Sequence, residues 1–417
     1  MSEINDKYAV LVTIAESSSM LNECERSLDE LERLLNTAGG ECFAKVIQVK
    51  DKFDPRTCIG KGKVEEISVL CKNNDIPLVV FDFELTPAQI RNLENDIGDV
   101  TVIDRSMLIL DIFALHAVSG EGKLQVELAQ LRYSAPRLTG KGIELSRQGG
   151  GIGSRGPGES KLETDRRHLH EKIVSLEKKL AELEHNRSVM RAQRDRSGLP
   201  KIALVGYTNA GKSTLLNRIT GADVLAEDKL FATLDPTTRK MELETGEYIL
   251  LTDTVGFIRK LPHHLVKAFK STLDEVVYAD ILLVVSDVND PEVSEHLEVT
   301  RSVIDDLGAS DKPIIYVYNK CDLSDDIDYS DLSENSVFIS AQTGAGIESL
   351  LEMICLEIGK GKREYSLIIP YTEQAALNQL YKLYNVISVD YLDSGISVKV
   401  ILDFKGSGQY SKYICEA

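Results

Sequence analysis

The sequence predicts a multidomain α/β protein, and three observations predict it. Strand-like apolar runs alternate with helical patterns twice, over residues 1–120 and again over 200–362, the pattern of parallel α/β sheets. Between the two, residues 121–197 break the alternation with a glycine-rich basic segment and a heptad stripe. The chain of 417 residues also exceeds what one hydrophobic core usually supports.

Taken in order, Ala9–Ile14 reads as a buried strand and Met20–Leu35 as a helix, with Leu21, Leu28, Leu31 and Leu35 at helical spacing. Further strands are predicted at Ala44–Val49, Pro77–Phe81 and Val100–Ile103, with helices near Lys63–Lys72 and Thr86–Glu94. Residues 1–120 are therefore expected to form a small parallel α/β domain. Over 121–197, apolar periodicity stops between Gln130 and Ser160, and six of the ten residues from Gly149 to Gly158 are glycine, a composition no packed helix or strand accepts. Leu162, Leu169, Ile173, Leu176, Leu180, Leu183 and Met190 then recur at steps of three, four and seven. This seam suits a helical hairpin or short coiled coil packed on Lys123–Arg132.

Residues 198–362 carry predicted strands at Ile202–Val205, Lys240–Glu244, Tyr248–Asp253, Ile281–Val285, Pro313–Tyr318 and Val337–Ser340. Residues 363–417 read as a small α+β region, with strands at Ser366–Ile369, Asn385–Tyr391 and Ile396–Phe404 and a helix over Glu373–Tyr384.

Composition bounds the function. The chain is 43% apolar and 27% charged, which suits globular domains rather than a disordered tail. No apolar run reaches the length of a spanning helix, and the first residues lack the basic start and apolar stretch of a signal peptide. Seven scattered cysteines, never spaced Cys-x-x-Cys, argue for reduced thiols rather than disulfides or zinc. A net charge of −18 opposes general attraction to nucleic acid or anionic lipid, so any basic patch must be local.

Gly206-Tyr207-Thr208-Asn209-Ala210-Gly211-Lys212-Ser213 matches G-x-x-x-x-G-K-[ST] between an apolar strand and a helix, the context this phosphate loop requires. Glycines let backbone N–H groups face phosphate oxygens, and the helix N-terminus adds positive potential. Lys212 is expected on the β- and γ-phosphates and the Ser213 hydroxyl on Mg²⁺. Asp253-Thr254-Val255-Gly256 ends a strand, so Asp253 can reach Mg²⁺ through water and the Gly256 N–H can sense the γ-phosphate. A first switch loop is expected over Phe231-Ala232-Thr233-Leu234-Asp235, with Thr233 as the second Mg²⁺ hydroxyl and Thr237 and Thr238 as rivals. Asn319-Lys320-Cys321-Asp322 selects the base. Asp322 accepts from guanine N1–H and the exocyclic amine, where adenine would present an acceptor and no 2-amino group. Lys320 is expected to lay its stem across the base and Asn319 to brace the phosphate loop. Ser340-Ala341-Gln342 follows, its Ala341 N–H placed for guanine O6. Together these predict a Ras-like P-loop G domain that binds and hydrolyses GTP. In Ras-like enzymes a glutamine after the Asp-x-x-Gly element orients the attacking water. Here that position is Phe257. Either a partner completes the site, the reading favoured here, or Arg239, His263 or His264 serves instead.

Gly149-Gly150-Gly151-Ile152-Gly153-Ser154-Arg155-Gly156-Pro157-Gly158-Glu159 resembles the signature of the HflX family of translational GTPases. Leu128–Leu138 is similar to that family's preceding helix, and Phe231–Arg239 and Gly256–His264 look like its switch segments, including the phenylalanine after the glycine. The resemblance covers about residues 8–362; the tail carries no matching motif. It implies a GTPase that binds the large ribosomal subunit and, with GTP bound, separates stalled ribosomes, particularly in stress. Residues 128–158 hold five cations (Arg132, Arg137, Lys141, Arg147, Arg155) against Glu144, so this loop can follow an RNA phosphate backbone through Arg147 and Arg155. A solvated interdomain linker is the plainer alternative. Gly60-Lys61-Gly62-Lys63 could hold an anion at a helix N-terminus. The family has been credited with an adenine-nucleotide activity in this region, but no second Walker motif is present, and a structural turn or RNA phosphate contact is the favoured reading.

The expectation is thus a cytoplasmic, monomeric GTPase using GTP and Mg²⁺, able to associate peripherally with membranes, with no DNA partner and no membrane span. Its rivals are an ATP-dependent RNA remodelling enzyme acting through the N-terminal domain and a guanine-nucleotide sensor that does not hydrolyse.

Overall fold

Runs such as Tyr8–Ala15 and Leu78–Phe81, buried along nearly their whole length, form strands covered on both faces, as a parallel sheet demands. In the computed structural model, residues 8–138, 157–195, 199–221, 230, 231, 233–260, 270–323, 335–360, 363–392, 395–402, 406 and 409–414 are described. The chain divides into two units. The first comprises Met1–Glu184 with the inserted segments Glu227–Asp235 and Val255–Thr272. The second comprises His185–Ala226, Pro236–Thr254 and Leu273–Ala417.

The first unit is built on β1 (Tyr8–Ala15), α1 (Leu21–Thr37), β2 (Glu41–Val49), α2 (Lys61–Asn73), β3 (Leu78–Phe81), α3 (Pro87–Ile97) and β4 (Thr101–Asp104). Its four strands are all parallel, in the order β2-β1-β3-β4. Thr86 and Gln89 form a reciprocal capping box that starts α3, with Pro87 at the first helical position. One further helix, α4 (Arg105–His116), was not expected. Leu108, Ile109, Leu110, Ile112 and Phe113 are all buried, so the helix shows no polar stripe to betray its period. Next, α5 spans Gly120–Leu138 and α6 spans Pro157–Asp195. The helical pattern thus runs on past Gln130 and through Pro136, beyond the point where apolar periodicity fades. Lys172–Glu127 and Arg132–Glu177, each at 2.6 Å, pair the two helices. Leu176 is buried, and Leu169, Ile173, Leu180 and Leu183 are half-buried, whereas most charged residues between them are exposed. The glycine-rich segment up to Gly156, with Arg147 and Arg155, lies outside the described residues.

Two strands of this sheet end on buried carboxylates. Asp104 closes β4 and caps α4, accepting from Met107 N–H at 3.0 Å and Leu85 N–H at 3.1 Å. Asp82, directly after β3, is 0% exposed, and Arg105 is 2% exposed. Arg105 Nη1 donates to Asp82 Oδ1 at 2.8 Å and its other branch pairs with Glu30. The Ser27 hydroxyl and the Lys260 ammonium each donate to Asp82 Oδ2 at 2.6 Å.

In the second unit, β5 (Lys201–Gly206), α7 (Lys212–Thr220), β6 (Thr237–Glu242), β7 (Tyr248–Asp253), β8 (Ile281–Asp287), β9 (Ile314–Asn319) and β10 (Ser336–Phe338) give a six-stranded sheet in the order β10-β9-β8-β5-β7-β6. All neighbours are parallel except β6 against β7. The expected strand Lys240–Glu244 runs instead over Thr237–Glu242, and it ends two residues early because the turn to β7 begins at Leu243. There Gly246, at φ +78°, donates to the Leu243 carbonyl at 2.8 Å. A separate antiparallel sheet, β11 (Arg363–Ile369), β12 (Asn385–Leu392) and β13 (Gly395–Leu402) in the order β11-β13-β12, packs its own core with the helix Gln374–Leu383.

Removing one partner of a buried charge network leaves the others uncompensated. Asp82→Ala is expected to destabilise the first unit by about 3–5 kcal/mol. Urea denaturation followed by hydrogen exchange in β1 and β3 checks this; a wild-type midpoint for those strands would contradict it.

Candidate functional site: a guanine-nucleotide pocket and its switch segments

The polar elements of the second unit stand at the C-terminal ends of its parallel strands, where an open α/β sheet binds ligands. After β5 the chain turns at Gly206, φ +145°, where a Cβ would lie 2.1 Å from the Val285 carbonyl oxygen. Gly211 reads φ +91°, and a Cβ there would come within 2.2 Å of Asn319 Nδ2. Neither position tolerates a side chain. Asn209 also adopts a left-handed conformation, φ +61°. Lys212 opens α7 and is almost fully buried, its ammonium donating to the carbonyls of Gly206 at 3.1 Å and Tyr207 at 2.8 Å. Burial pushes the Lys212 pKa down to about 8, against the pull of Asp253.

Of the three residues expected around Mg²⁺, Ser213 and Asp253 meet. Ser213 Oγ donates to Asp253 Oδ2 at 2.6 Å, and Asp253 is fully buried at the end of β7. A hydroxyl and a carboxylate converging beside a phosphate loop fit a hard divalent cation. Thr254 is locked by its hydroxyl to the Leu204 carbonyl at 2.6 Å. The rivals Thr237 and Thr238 are ladder residues of β6, and the Thr238 hydroxyl meets that of Thr252 at 3.0 Å.

The base-selecting loops are tied to the phosphate loop through one amide. Asn319 Nδ2 donates to the Ala210 carbonyl at 2.8 Å, and Asn319 Oδ1 accepts from Ala341 N–H at 2.9 Å. Lys320, at φ +65°, pairs with Asp287 at 2.8 Å. Cys321 and Asp322 begin a short 3-10 turn. Ser340 Oγ accepts from Thr343 N–H at 3.0 Å and so shapes the turn after Ala341 and Gln342. Arg218, on α7, was not foreseen; its guanidinium donates to the carbonyls of Ala341 and Gln342. Nor was His296, whose ring stacks on Tyr207 with centroids 3.7 Å apart. Asp287 had a readable signal, an acid at the end of an apolar strand; Arg218 and His296 had none.

The switch residues belong to the first unit. Phe231 is buried, adopts φ +58°, and sets its ring edge-on to Phe113 with centroids 4.7 Å apart. Thr233 is half-buried and Leu234 buried. The Asp235 carboxylate accepts from the N–H groups of Ser119 and Val118 at 2.7 and 3.1 Å. Val255 and Phe257 are buried, Phe257 at 1% exposure. The Arg259 carbonyl accepts from Arg105 at 3.2 Å. Ala232, His263 and His264 lie outside the described residues.

Comparison with known proteins matches this layout along the chain. Family models described as GTP-binding GTPase N-terminal, GTP-binding GTPase Middle Region and 50S ribosome-binding GTPase match residues 25–114, 116–194 and 201–320. A "GTPase HflX" of Caldanaerobacter subterraneus subsp. tengcongensis is 51% identical over 391 residues, covering 94% of this chain and 90% of that protein. The chain belongs to the HflX family of GTPases. The HflX protein of Escherichia coli is 44% identical over 378 residues, covering 89% and 88% of the two chains. A solved GTP-binding protein of Sulfolobus solfataricus in complex with GDP covers 85% of this chain and 99% of its own, at 25% identity and a TM-score of 0.44. As an HflX-family GTPase, the chain is an enzyme that hydrolyses GTP. No helix among the described residues is long and apolar enough to cross a membrane.

Lys212 is expected to meet phosphate oxygens, which favour an ammonium over a neutral amine, so above its pKa binding would have to take up a proton. With that pKa near 8, GDP affinity is expected to fall about 10-fold between about pH 7 and about pH 9. Calorimetric titration across that range checks the sign; affinity that is flat or rises with pH would contradict it.

Proposed function

We propose that this HflX-family chain is a Mg²⁺-dependent GTPase that binds the large ribosomal subunit, separates stalled ribosomes in its GTP form under stress, and hydrolyses GTP fastest when ribosome-bound. The observation that carries this reading is Phe257. It follows Gly256, where Ras-like enzymes place the water-orienting glutamine, and its side chain is apolar and 1% exposed. Such a group cannot hold an attacking water. The chain therefore binds GTP with a full set of motifs and lacks one part of the hydrolytic machinery, which a partner must supply or order. The match of residues 201–320 to a model described as 50S ribosome-binding GTPase supports the large subunit as that partner. The basic glycine-rich segment at Gly149–Gly158, with Arg147 and Arg155, supports contact with its RNA.

The chemistry is attack of water on the γ-phosphorus with GDP leaving. Lys212 neutralises charge on the transferring phosphoryl group, and the Gly256 N–H donates to a γ-phosphate oxygen. Asp322 fixes the base and Asn319 fixes the phosphate loop against the base loops. Ser213 and Thr233 would hold Mg²⁺ through their hydroxyls, with Asp253 acting through water, and the ion would offset phosphate charge. Gly256 belongs to the first unit. Lys260, four residues further on, donates to Asp82. The site of action that follows is the cytoplasm, where ribosomes turn over.

Multiple-turnover phosphate release tests the reading. Purified large subunits are expected to raise turnover roughly 10-fold or more over the basal rate. A basal rate that large subunits leave unchanged would contradict partner-completed catalysis.

A further inference from the structure

Asp235 is bound at the start of α5 by more than a chance surface contact. Val118 and Ser119 precede the helix, and their N–H groups both point at Asp235 Oδ2. The Ser119 hydroxyl donates to Asp235 Oδ1. That hydroxyl also accepts from Gly122 N–H at 2.8 Å, and the Ser119 carbonyl accepts the helical bond from Lys123 N–H at 3.0 Å. Ser119 is thus the N-cap of α5, with its proton passed outward to a carboxylate from the first switch loop. The carboxylate sits where unpaired N–H groups and the helix dipole favour an anion.

Gly122 makes room for it. A Cβ there would lie 2.6 Å from Asp235 Oδ1 and 3.0 Å from Ser119 Oγ. The glycine lies within a helix, where it is a poor former, so its value is space.

The opposite end of the loop is fixed too. Phe231, two residues before Thr233, is buried edge-on against Phe113 of α4 despite a left-handed backbone that costs a bulky residue. Asp235 lies two residues after Thr233. Thr233 is therefore bracketed by two anchors, both on helices of the first unit.

We propose that Ser119 and Gly122 are positioning residues for GTP recognition: with Phe113 they clamp the first switch loop, and so hold Thr233 in one conformation before nucleotide binds. This rests on the reading of Thr233 as the residue that answers the γ-phosphate-bound state. Ordering a loop before binding removes that ordering cost from the affinity. GDP does not call on Thr233, so the clamp acts on the GTP complex and not on the GDP complex.

The test compares affinities of full-length wild type, Ser119→Ala, Ser119→Thr and Gly122→Ala for GDP and for a non-hydrolysable GTP analogue with Mg²⁺. Ser119→Ala and Gly122→Ala are expected to lower the analogue-over-GDP preference by roughly 5- to 30-fold with GDP affinity unchanged, and Ser119→Thr to restore it. Gly122→Ala guards against a trivial outcome, because alanine strengthens the helix, so a loss there is not a melted α5. Amide exchange at Thr233–Asp235 without nucleotide is expected to speed up in both variants. An unchanged or increased preference in the two alanine variants, with Thr233→Ala lowering it, would overturn the clamp. A Thr233→Ala protein with wild-type preference would instead overturn the reading of Thr233 on which the clamp rests.

Discussion

A carboxylate with no exposed surface is tenable only if cations and donors surround it, and Asp82 meets that condition with Arg105, Ser27 and Lys260. Two of those partners, Arg105 and Ser27, belong to the sheet and helices of the first unit. The third, Lys260, lies just beyond the Asp-x-x-Gly element of the nucleotide site. The second switch segment is therefore held within the first unit. Its ammonium helps to neutralise a charge that the fold has buried, and Arg105 reaches the carbonyl of its neighbour Arg259. The first switch segment is bound by the same logic, with the sign reversed: Asp235 brings the negative charge and the start of α5 supplies the N–H groups.

The nucleotide pocket depends on a simpler constraint, close approach of backbone. Gly206 passes against the Val285 carbonyl and Gly211 against Asn319, each nearer than a methyl group allows. This closeness lets one asparagine side chain tie the phosphate loop to the base loop, through Ala210 on one side and Ala341 on the other. Arg218 then secures the base loop from α7, the helix that the phosphate loop itself begins. The Gly206–Ser213 loop and the loops at Asn319 and Ala341 are thus joined by a few hydrogen bonds rather than a long path.

Much of this was legible in sequence because it is local. The strand–loop–helix setting of Gly206–Ser213, the acids at strand ends and the alternation of strands and helices all follow from short-range pattern, and the sheets have their strands where apolar runs place them. What was not legible is what needs the third dimension. Helix α4 hides because packing on most of its sides leaves no polar stripe. The turn at Leu243 moved β6 because Gly246, not the apolar residues, sets the strand's end. Ser119 and Gly122 look like ordinary loop and helix residues until Asp235, more than a hundred residues away in the chain, is laid against them. Asp82 and Lys260 are a like case: separate charges in sequence, one ion pair in the fold.

Under the proposed function, the chain holds the large ribosomal subunit in its GTP form. Co-sedimentation with isolated large ribosomal subunits, in GDP, ATP or a non-hydrolysable GTP analogue, tests it most directly. The account predicts a stoichiometric pellet with the GTP analogue and little with GDP or ATP. Equal association in all three conditions, or association that follows ATP, would contradict it.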